Sequence, residues 1–241
     1  MRRDSVPAKL EEIIGGCEAG VRGRRFWLVE TPFEHVCERS EITPAALVAP
    51  LHHDGGTGPP MVVEPRQAMV LDIETGGFAG APVFLIGLVL LGERPLSIRQ
   101  FLARDYPEEE GILRALAEVA ATRDTWVTFN GKSFDEPFLR DRATLHHVPM
   151  PAVRSHVDLL HAARRQWRHS LPNCRLGTLE EHVLKRPRIG DVPSCDVPDL
   201  FHHFIRTGNA APLGPVLEHN RIDLVSSTEL LVRLSVPAPE G

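Results

Sequence analysis

Ala68-Met-Val-Leu-Asp-Ile-Glu-Thr75 is the stretch of sequence that decides the fold. Its apolar run from Ala68 to Ile73 is typical of a buried strand, and residues i and i+2 of a strand point to the same face. Asp72 and Glu74 therefore direct two carboxylates to one side of the strand's carboxyl end, where α/β sheets place their ligands. Asp-x-Glu also arises by chance in an acidic chain. The pattern is informative here because the two acids follow an apolar strand and lie at its end.

The segments after this strand alternate between strand and helix patterns. Val83–Leu91 and Leu96–Leu102 are predicted strands that form an antiparallel meander with the first one. An amphipathic helix over Pro107–Ala121 then leads to a strand over Trp126–Phe129, as a parallel crossover requires. The later predictions are a helix over 133–143, a strand over 153–156, a helix over 157–167, and helices opening at Thr178, Pro198 and Pro212. This order predicts an α/β fold of the ribonuclease H-like type, with a mixed sheet of an antiparallel meander and parallel strands flanked by helices.

Residues 1–64 are predicted to form a small N-terminal extension and linker, and residues 65–236 the ribonuclease H-like domain. Within the extension, Lys9–Ile14 is a predicted helix. Arg25–Glu30 is a predicted strand, and nearby glycines indicate a hairpin with residues 16–19. From Ala49 to Pro65 the chain is rich in Gly, Pro and His, which is linker composition and sets the predicted boundary.

The composition limits the classes of function. A formal net charge of −5 over 241 residues argues against a generally basic nucleic-acid-binding protein, although an acidic metal site would itself lower the total. The four cysteines form no Cys-x-x-Cys pair, which disfavours a zinc ribbon. The chain shows no signal-peptide pattern and no apolar run long enough to span a membrane. We therefore expect a cytoplasmic protein with free thiols and no membrane partner.

Two further acids follow in the order of the predicted elements. Asp135 closes Thr128-Phe-Asn-Gly-Lys-Ser-Phe-Asp135, where the positive end of a helix, with Ser133 as its expected cap, favours an ionised carboxylate. His219 and Asp223 are one turn apart on a late helix and can face the same cleft, whereas Asn220 is expected to face elsewhere. Taken alone, Asp135 could be an ordinary acid at a helix start, and His219 and Asp223 could lie on a solvated helix face. The order of these residues along the chain, however, is the one that a shared site requires.

Together these motifs resemble those of the DEDD superfamily of 3′–5′ exonucleases. Asp72-Ile-Glu-Thr75 is similar to its first motif, Phe129–Asp135 to its second in the form found in proofreading domains of family B DNA polymerases, and His219-x-x-x-Asp223 to its third. The best match is the YprB-like ribonuclease H-like domain, over about residues 68–234. The chain departs from the superfamily pattern in one respect. Members carry either tyrosine with a three-residue gap before the last Asp or histidine with a four-residue gap, whereas here His219 has the gap typical of tyrosine.

The resemblance implies a metal-dependent 3′–5′ exonuclease acting on single-stranded DNA or RNA with a free 3′ end and releasing nucleoside 5′-monophosphates. Two Mg²⁺ or Mn²⁺ ions would be held by oxygen ligands, which such hard cations prefer. His219 would act as general base because imidazole titrates near neutral pH. The implied metal ligands are Asp72, Glu74, Asp135 and Asp223.

Substrate contacts are predicted beside these acids and on one basic helix. A guanidinium group can contact a phosphate, and an interleaved aromatic ring can stack on a base. A solvated basic helix face is the alternative for the helix. The predicted contacts are Thr75, Asn130, Lys132 and Ser133 near the acids, and Arg164, Arg165 and Arg168 on the helix. Asp158, between these groups, is expected either to support the site or to cap a helix.

Three other functions stay open at the level of the sequence. A ribonuclease H-like endonuclease would also gather acids at the first strand, although Phe129–Asp135 favours the exonuclease. A catalytically inactive module could keep the fold to bind nucleic acid, although the presence of all four acids weighs against it. A scaffold whose first 64 residues dock a protein partner is a third hypothesis, and no motif in that segment tests it.

Overall fold

A computed structural model describes residues 9–35, 50–51 and 61–235 of the chain. The strands are β1 (Cys17–Val21), β2 (Arg24–Pro32), β3 (Pro50–Leu51), β4 (Met61–Val62), β5 (Ala68–Thr75), β6 (Val83–Leu90), β7 (Ser97–Leu102), β8 (Thr125–Thr128) and β9 (Ser155–Asp158). The helices are α1 (Leu10–Ile14), α2 (Glu109–Ala120), α3 (Asp135–Leu145), α4 (Leu159–Trp167), α5 (Leu176–His182), α6 (Val197–Thr207) and α7 (Leu213–Ser235). Short 3₁₀ turns cover Phe33–His35, Pro65–Gln67 and Tyr106–Glu108.

Within the described residues, seven strands form one mixed sheet in the order β1-β2-β7-β6-β5-β8-β9. Strands β5, β6 and β7 form the predicted antiparallel meander, while β8 runs parallel to β5 and β9 runs parallel to β8. Because two parallel neighbours need a crossover, α2 connects the meander to β8. The predicted fold class, a mixed ribonuclease H-like sheet flanked by helices, is confirmed.

The hairpin of the N-terminal extension is part of this same sheet. Strand β2 pairs antiparallel with β7, for example Trp27 opposite Leu102, and β1 forms the outer edge. The extension therefore lengthens the sheet of the domain that follows it in sequence. The linker predicted over 49–65 lies largely outside the described residues, and the domain boundary at residue 64 stays a prediction.

The sheet buries apolar side chains on both faces. On β5, Met69, Leu71 and Ile73 belong to a core shared with α2. Ala68 and Val70 belong to a second core shared with α4 and α7. Alternation along the strand assigns the next positions on that second face to Asp72 and Glu74. The face of β5 beneath α7 therefore changes from apolar to acidic at the strand's carboxyl end.

Four predicted helix starts are wrong by two residues. Helix α2 begins at Glu109 because a 3₁₀ turn covers Tyr106–Glu108, and α4 begins at Leu159 because β9 continues through Asp158. Helix α3 begins at Asp135 and not at Ser133, since a turn from Asn130 (φ +66°) precedes it, and no side-chain cap closes its first turn. Helix α5 begins at Leu176, two residues before Thr178. There Asn173 Oδ1 accepts hydrogen bonds from Arg175 N at 2.9 Å and Thr178 Oγ1 at 2.7 Å.

Two expectations about the environment of the chain can be compared with the structure. Among the described helices, none is both long and apolar enough to cross a membrane. Cys17, Cys174 and Cys195 are free thiols, and Cys37 lies outside the described residues.

Candidate active site

Four acids converge on one cavity of about 220 Å³ at the carboxyl end of β5. The cavity wall contains the predicted metal ligands and the predicted base, His219. A bulge between Glu74 and Thr75 shifts the register of β5 against β6, and such a bulge re-aims the side chains at a strand's end. The predicted convergence of the three sequence motifs is thus present in the fold. The acids lining the cavity are Asp72, Glu74, Asp135 and Asp223.

Asn220 fixes the carboxylate of Asp72, and the prediction that it faces elsewhere is wrong. Its Nδ2 donates to Asp72 Oδ2 at 2.8 Å, and its Oδ1 accepts from Gln100 Nε2 at 2.9 Å. Asn220 can reach Asp72 because Gly87 pairs with Asp72 across β5 and β6, and a Cβ on Gly87 would lie 2.2 Å from Asn220 Oδ1. Helical spacing from His219 alone could not reveal this contact, since it depends on a glycine in another strand.

Asp158 holds the loop that delivers Asp135. Its carboxylate accepts hydrogen bonds from Asn130 N at 2.9 Å, Lys132 N at 3.1 Å and Leu160 N at 3.0 Å. Asp158 is buried at the end of β9 and caps α4 while also binding the 130–132 loop. Both readings of Asp158 from the sequence therefore hold: it caps a helix and it supports the site.

The loop between α5 and α6 supplies two functional residues that the sequence did not indicate. Arg188 forms ion pairs with Asp223, with Glu180 and, at 2.8 Å, with Asp191 Oδ2. Asp191 in turn accepts a hydrogen bond from His219 Nδ1 at 2.8–2.9 Å. Neither residue stands in a recognisable spacing relative to the acids, since their proximity arises only when the loop folds over α7.

Crowding raises the pKa values of the four acids. Burial and the charges of neighbouring acids raise the pKa of Asp72 and that of Glu74 well above their ordinary values. Burial raises the pKa of Asp135 to about 7, against the effect of backbone hydrogen bonds. Burial also raises the pKa of Asp223, although the Arg188 guanidinium acts in the opposite direction. A positive charge in the cavity would therefore stabilise the ionised forms of these acids.

The donor set of the cavity fits divalent cations of the hard type. Its acids offer carboxylate oxygens, the ligands that Mg²⁺ and Mn²⁺ prefer, and a cation there would favour their ionised forms, which burial and the neighbouring acids disfavour. In the described part of the chain, no three His, Cys, Asp or Glu side chains already stand in a metal-holding arrangement. The four carboxylates face one cavity, and their side chains would have to move closer together to coordinate an ion.

Two of the four predicted substrate residues near the acids line the cavity. Thr75 and Asn130 line the cavity, and the Thr75 hydroxyl donates to Gly77 O at 2.8 Å. Lys132 uses its backbone amide to bind Asp158. Ser133 is exposed on the wall of a neighbouring groove. Their contact with a substrate stays a prediction.

The three arginines of α4 lie away from the cavity. Helix α4 begins at Leu159 beside the 130–132 loop, and a rise of about 1.5 Å per residue places the three roughly 7–14 Å further along its axis. All three are exposed, and the lining described for the cavity includes none of them. The contact of Arg164, Arg165 and Arg168 with a substrate therefore stays a prediction.

A larger groove of about 900 Å³ continues from the acidic cavity. The two share Thr75, Phe134, Ser194 and Pro198, so that a chain leaving the cavity enters the groove. Its wall also contains Phe78, whose side chain is 96% exposed. An exposed phenylalanine beside an acidic cavity offers an apolar ring to a flat ligand.

Comparison with known proteins yields one family and one relative. The family model of the RNase H superfamily matches residues 69–235. The uncharacterized protein YprB from Bacillus subtilis (strain 168) is 36% identical over 170 residues, a match that covers 68% of this chain and 41% of YprB. The chain thus corresponds to less than half the length of that relative.

Asp158→Asn should destabilise the fold. The side-chain amide introduced by this substitution would place an N–H donor against one of the backbone N–H groups that now donate to the carboxylate. A buried unsatisfied donor costs about 1–3 kcal/mol of the free energy of unfolding. Chemical denaturation measures the loss. Asp105→Asn is the control, because Asp105 caps an exposed turn and asparagine caps equally well. Equal stability of the two variants would contradict the bridging role of Asp158.

The stability of the metal-free protein should fall as pH rises from about 5 to about 8. The pKa of Asp135 is about 7 when folded, above its ordinary value, so the folded state binds the extra proton and this stabilisation disappears as pH rises through about 7. Thermal unfolding in EDTA measures the decline. Mn²⁺ should abolish it, because a cation favours the ionised form. Asp135→Asn should also flatten the profile, and an unchanged profile in that variant would contradict the assignment.

Proposed function

This chain belongs to the ribonuclease H superfamily, and we propose that it is a metal-dependent 3′–5′ exonuclease acting on single-stranded DNA or RNA with a free 3′ end. The observation that carries the proposal is the single cavity lined by Asp72, Glu74, Asp135 and Asp223 with His219 beside them. Nucleases of this superfamily generally use divalent metals, which gives these acids a role as ligands.

The four acids would hold two Mg²⁺ or Mn²⁺ ions. When bound, such a pair stabilises the charge on the attacking and leaving oxygens of a phosphodiester. Asn220 keeps Asp72 oriented, and Asp158 keeps the start of α3 in place so that Asp135 faces the cavity. The chain would thus supply its metal ligands from β5, α3 and α7.

His219 would accept a proton from the attacking water. Its Nδ1 faces Asp191, whose pKa is lowered by the hydrogen bonds of Arg188 and His219 despite the opposing effect of burial. An ionised Asp191 accepts the Nδ1 proton, which leaves Nε2 as the basic nitrogen of the neutral ring. Nε2 lies 3.3 Å from Ser194 Oγ, on the cavity side. This carboxylate–histidine pair supports the base assignment despite the unusual spacing from Asp223.

The groove beside the cavity supports a single-stranded substrate. A cavity of about 220 Å³ has room for a phosphodiester and its sugar but not for a paired duplex. The nucleotides next to the scissile bond would lie in the groove and stack on Phe78 and Phe134. Hydrolysis at the terminal phosphodiester would release a nucleoside 5′-monophosphate.

The remaining predicted contacts would bind the substrate backbone in two places, one near the acids and one on α4. Thr75 and Asn130 of the cavity lining, with Lys132 and Ser133 on the loop that follows Asn130, would contact the reacting phosphate. The α4 arginines would contact phosphates further along the strand. These contacts would position the strand without reading its sequence.

Digestion of 5′-labelled single-stranded DNA and RNA oligonucleotides with Mn²⁺ tests the proposal. We expect a ladder that shortens from the 3′ end. Asp72→Asn should lower the rate by roughly 10³-fold or more, because metal stabilisation of the reacting oxygens contributes several kcal/mol. EDTA should abolish cleavage, and Asp105→Asn, an acid outside the cavity lining, should leave it unchanged.

The other outcomes of this digestion discriminate between the remaining functions. Internal fragments without a 3′ ladder would indicate an endonuclease. Binding of the oligonucleotide without cleavage, by a folded protein in Mn²⁺, would favour the inactive binding module and contradict the proposal.

Phe78→Ala should weaken substrate binding without changing the chemical step. Stacking of a base on an aromatic ring contributes about 1–3 kcal/mol, so KM should rise by about tenfold at constant kcat. Because the ring is 96% exposed, its loss should not lower the melting temperature. Ile189→Ala is the matched control, since Ile189 is 92% exposed and outside the described groove lining. Equal KM values for the two variants would exclude stacking on Phe78.

A further inference from the structure

Arg188 distributes its guanidinium over three carboxylates. Nη2 donates to Glu180 Oε1 at 2.8 Å and also contacts Asp223 Oδ1, while Nη1 donates to Asp191 Oδ2 at 2.8 Å. Nε makes a second contact with Glu180. The side chain is 18% exposed, so these bonds are partly shielded from water. Each nitrogen of the guanidinium thus has an acidic partner.

Glu180 keeps this guanidinium in place. Glu180 is fully buried on α5 and also accepts a hydrogen bond from Ser226 Oγ of α7. Removing Arg188 from it would leave a buried carboxylate with no cation, which is strongly unfavourable. The neighbouring backbone is fixed as well, since Arg186 N donates to Glu180 O at 2.8 Å. The position of the guanidinium is therefore set by Glu180, which does not line the acidic cavity.

The other two partners of Arg188 belong to the reactive site. Asp223 is a proposed metal ligand that contacts Arg188 through Oδ1, which leaves Oδ2 for a cation. Asp191 holds the Nδ1 side of His219. One anchored guanidinium therefore sets the orientation of both a ligand and the base.

We propose that Arg188 is a positioning residue that couples the metal ligand Asp223 to the base His219. This inference rests on the proposed function, because it assigns both groups the roles given there. A planar guanidinium can reach three carboxylates from a single anchor, whereas a lysine ammonium is a point charge on a flexible stem and cannot reproduce this geometry.

Metal titration of two variants against a matched control tests the inference. Calorimetry with Mn²⁺ alone, on the full chain, should show that Arg188→Gln weakens binding by about 10–100-fold, the usual effect of losing a residue that orients a metal ligand. Arg188→Lys keeps the charge and should show the same direction of change. Arg186→Gln is the control, because Arg186 lies on the same loop and pairs with Glu229 at 3.0 Å and Ser226 at 3.1 Å, outside the cavity lining.

Three results would overturn the inference. Tighter Mn²⁺ binding by Arg188→Gln would show that the guanidinium competes with the metal for Asp223. Unchanged Mn²⁺ binding, with a melting temperature lowered as much as in Arg186→Gln, would show a purely structural bridge. Wild-type binding by Arg188→Lys would show that charge alone is sufficient, and this variant keeps the test decisive if Arg188→Gln does not fold.

Kinetics separate this inference from the proposed function. If the wild-type protein degrades oligonucleotides, Arg188→Gln should lower kcat by about 10–100-fold with little change in KM, since the variant disturbs ligand and base but not the groove. If the wild-type protein degrades none, the exonuclease proposal fails. Weaker Mn²⁺ binding by the Arg188 variants would then still support the positioning of Asp223.

Discussion

The burial of four carboxyl groups together in one small cavity is the constraint on which this structure depends. Burial disfavours the ionised form of a carboxyl group, and neighbouring acids add to this effect, so the pKa values of Asp72, Glu74 and Asp135 are raised. The fold holds the four acids together on three separately fixed supports. Strand β5 is a central strand of the sheet, the loop before α3 is bound by Asp158, and Asp223 is paired with Arg188.

Helix α7 connects the apolar core to this polar site. Its residues Leu224 and Val225 pack in the core beneath the sheet, and the same helix presents His219, Asn220 and Asp223 to the acidic end of β5. Burial of its apolar face therefore also sets where the polar groups stand. The loop from α5 closes the site from the other side, with Arg188 and Asp191 bound to groups on α7. Such a site has its ligands positioned by residues beyond the ligands themselves.

The sequence was sufficient for features that depend on local periodicity and strand order. The apolar run of β5, the meander and the α2 crossover each have a local signature, and together they predicted the mixed sheet and the convergence of the four acids. Features that depend on tertiary proximity were missed. Arg188 and Asp191 come together with Asp223 only through a folded loop, and Asn220 reaches Asp72 only because Gly87 makes room for it. The start of α3 was misplaced because turn geometry at Asn130 outweighed the capping preference of Ser133.

The central claim is that the acidic cavity is a two-cation site, and anomalous diffraction from crystals grown with Mn²⁺ and a nucleoside 5′-monophosphate tests it most directly. We predict two manganese peaks about 4 Å apart among the carboxylates of Asp72, Glu74, Asp135 and Asp223, with the nucleotide bound beside them. We also predict that Arg188 remains paired with Glu180. An anomalous map without peaks in this cavity, or with manganese bound only elsewhere on the protein, would contradict the account.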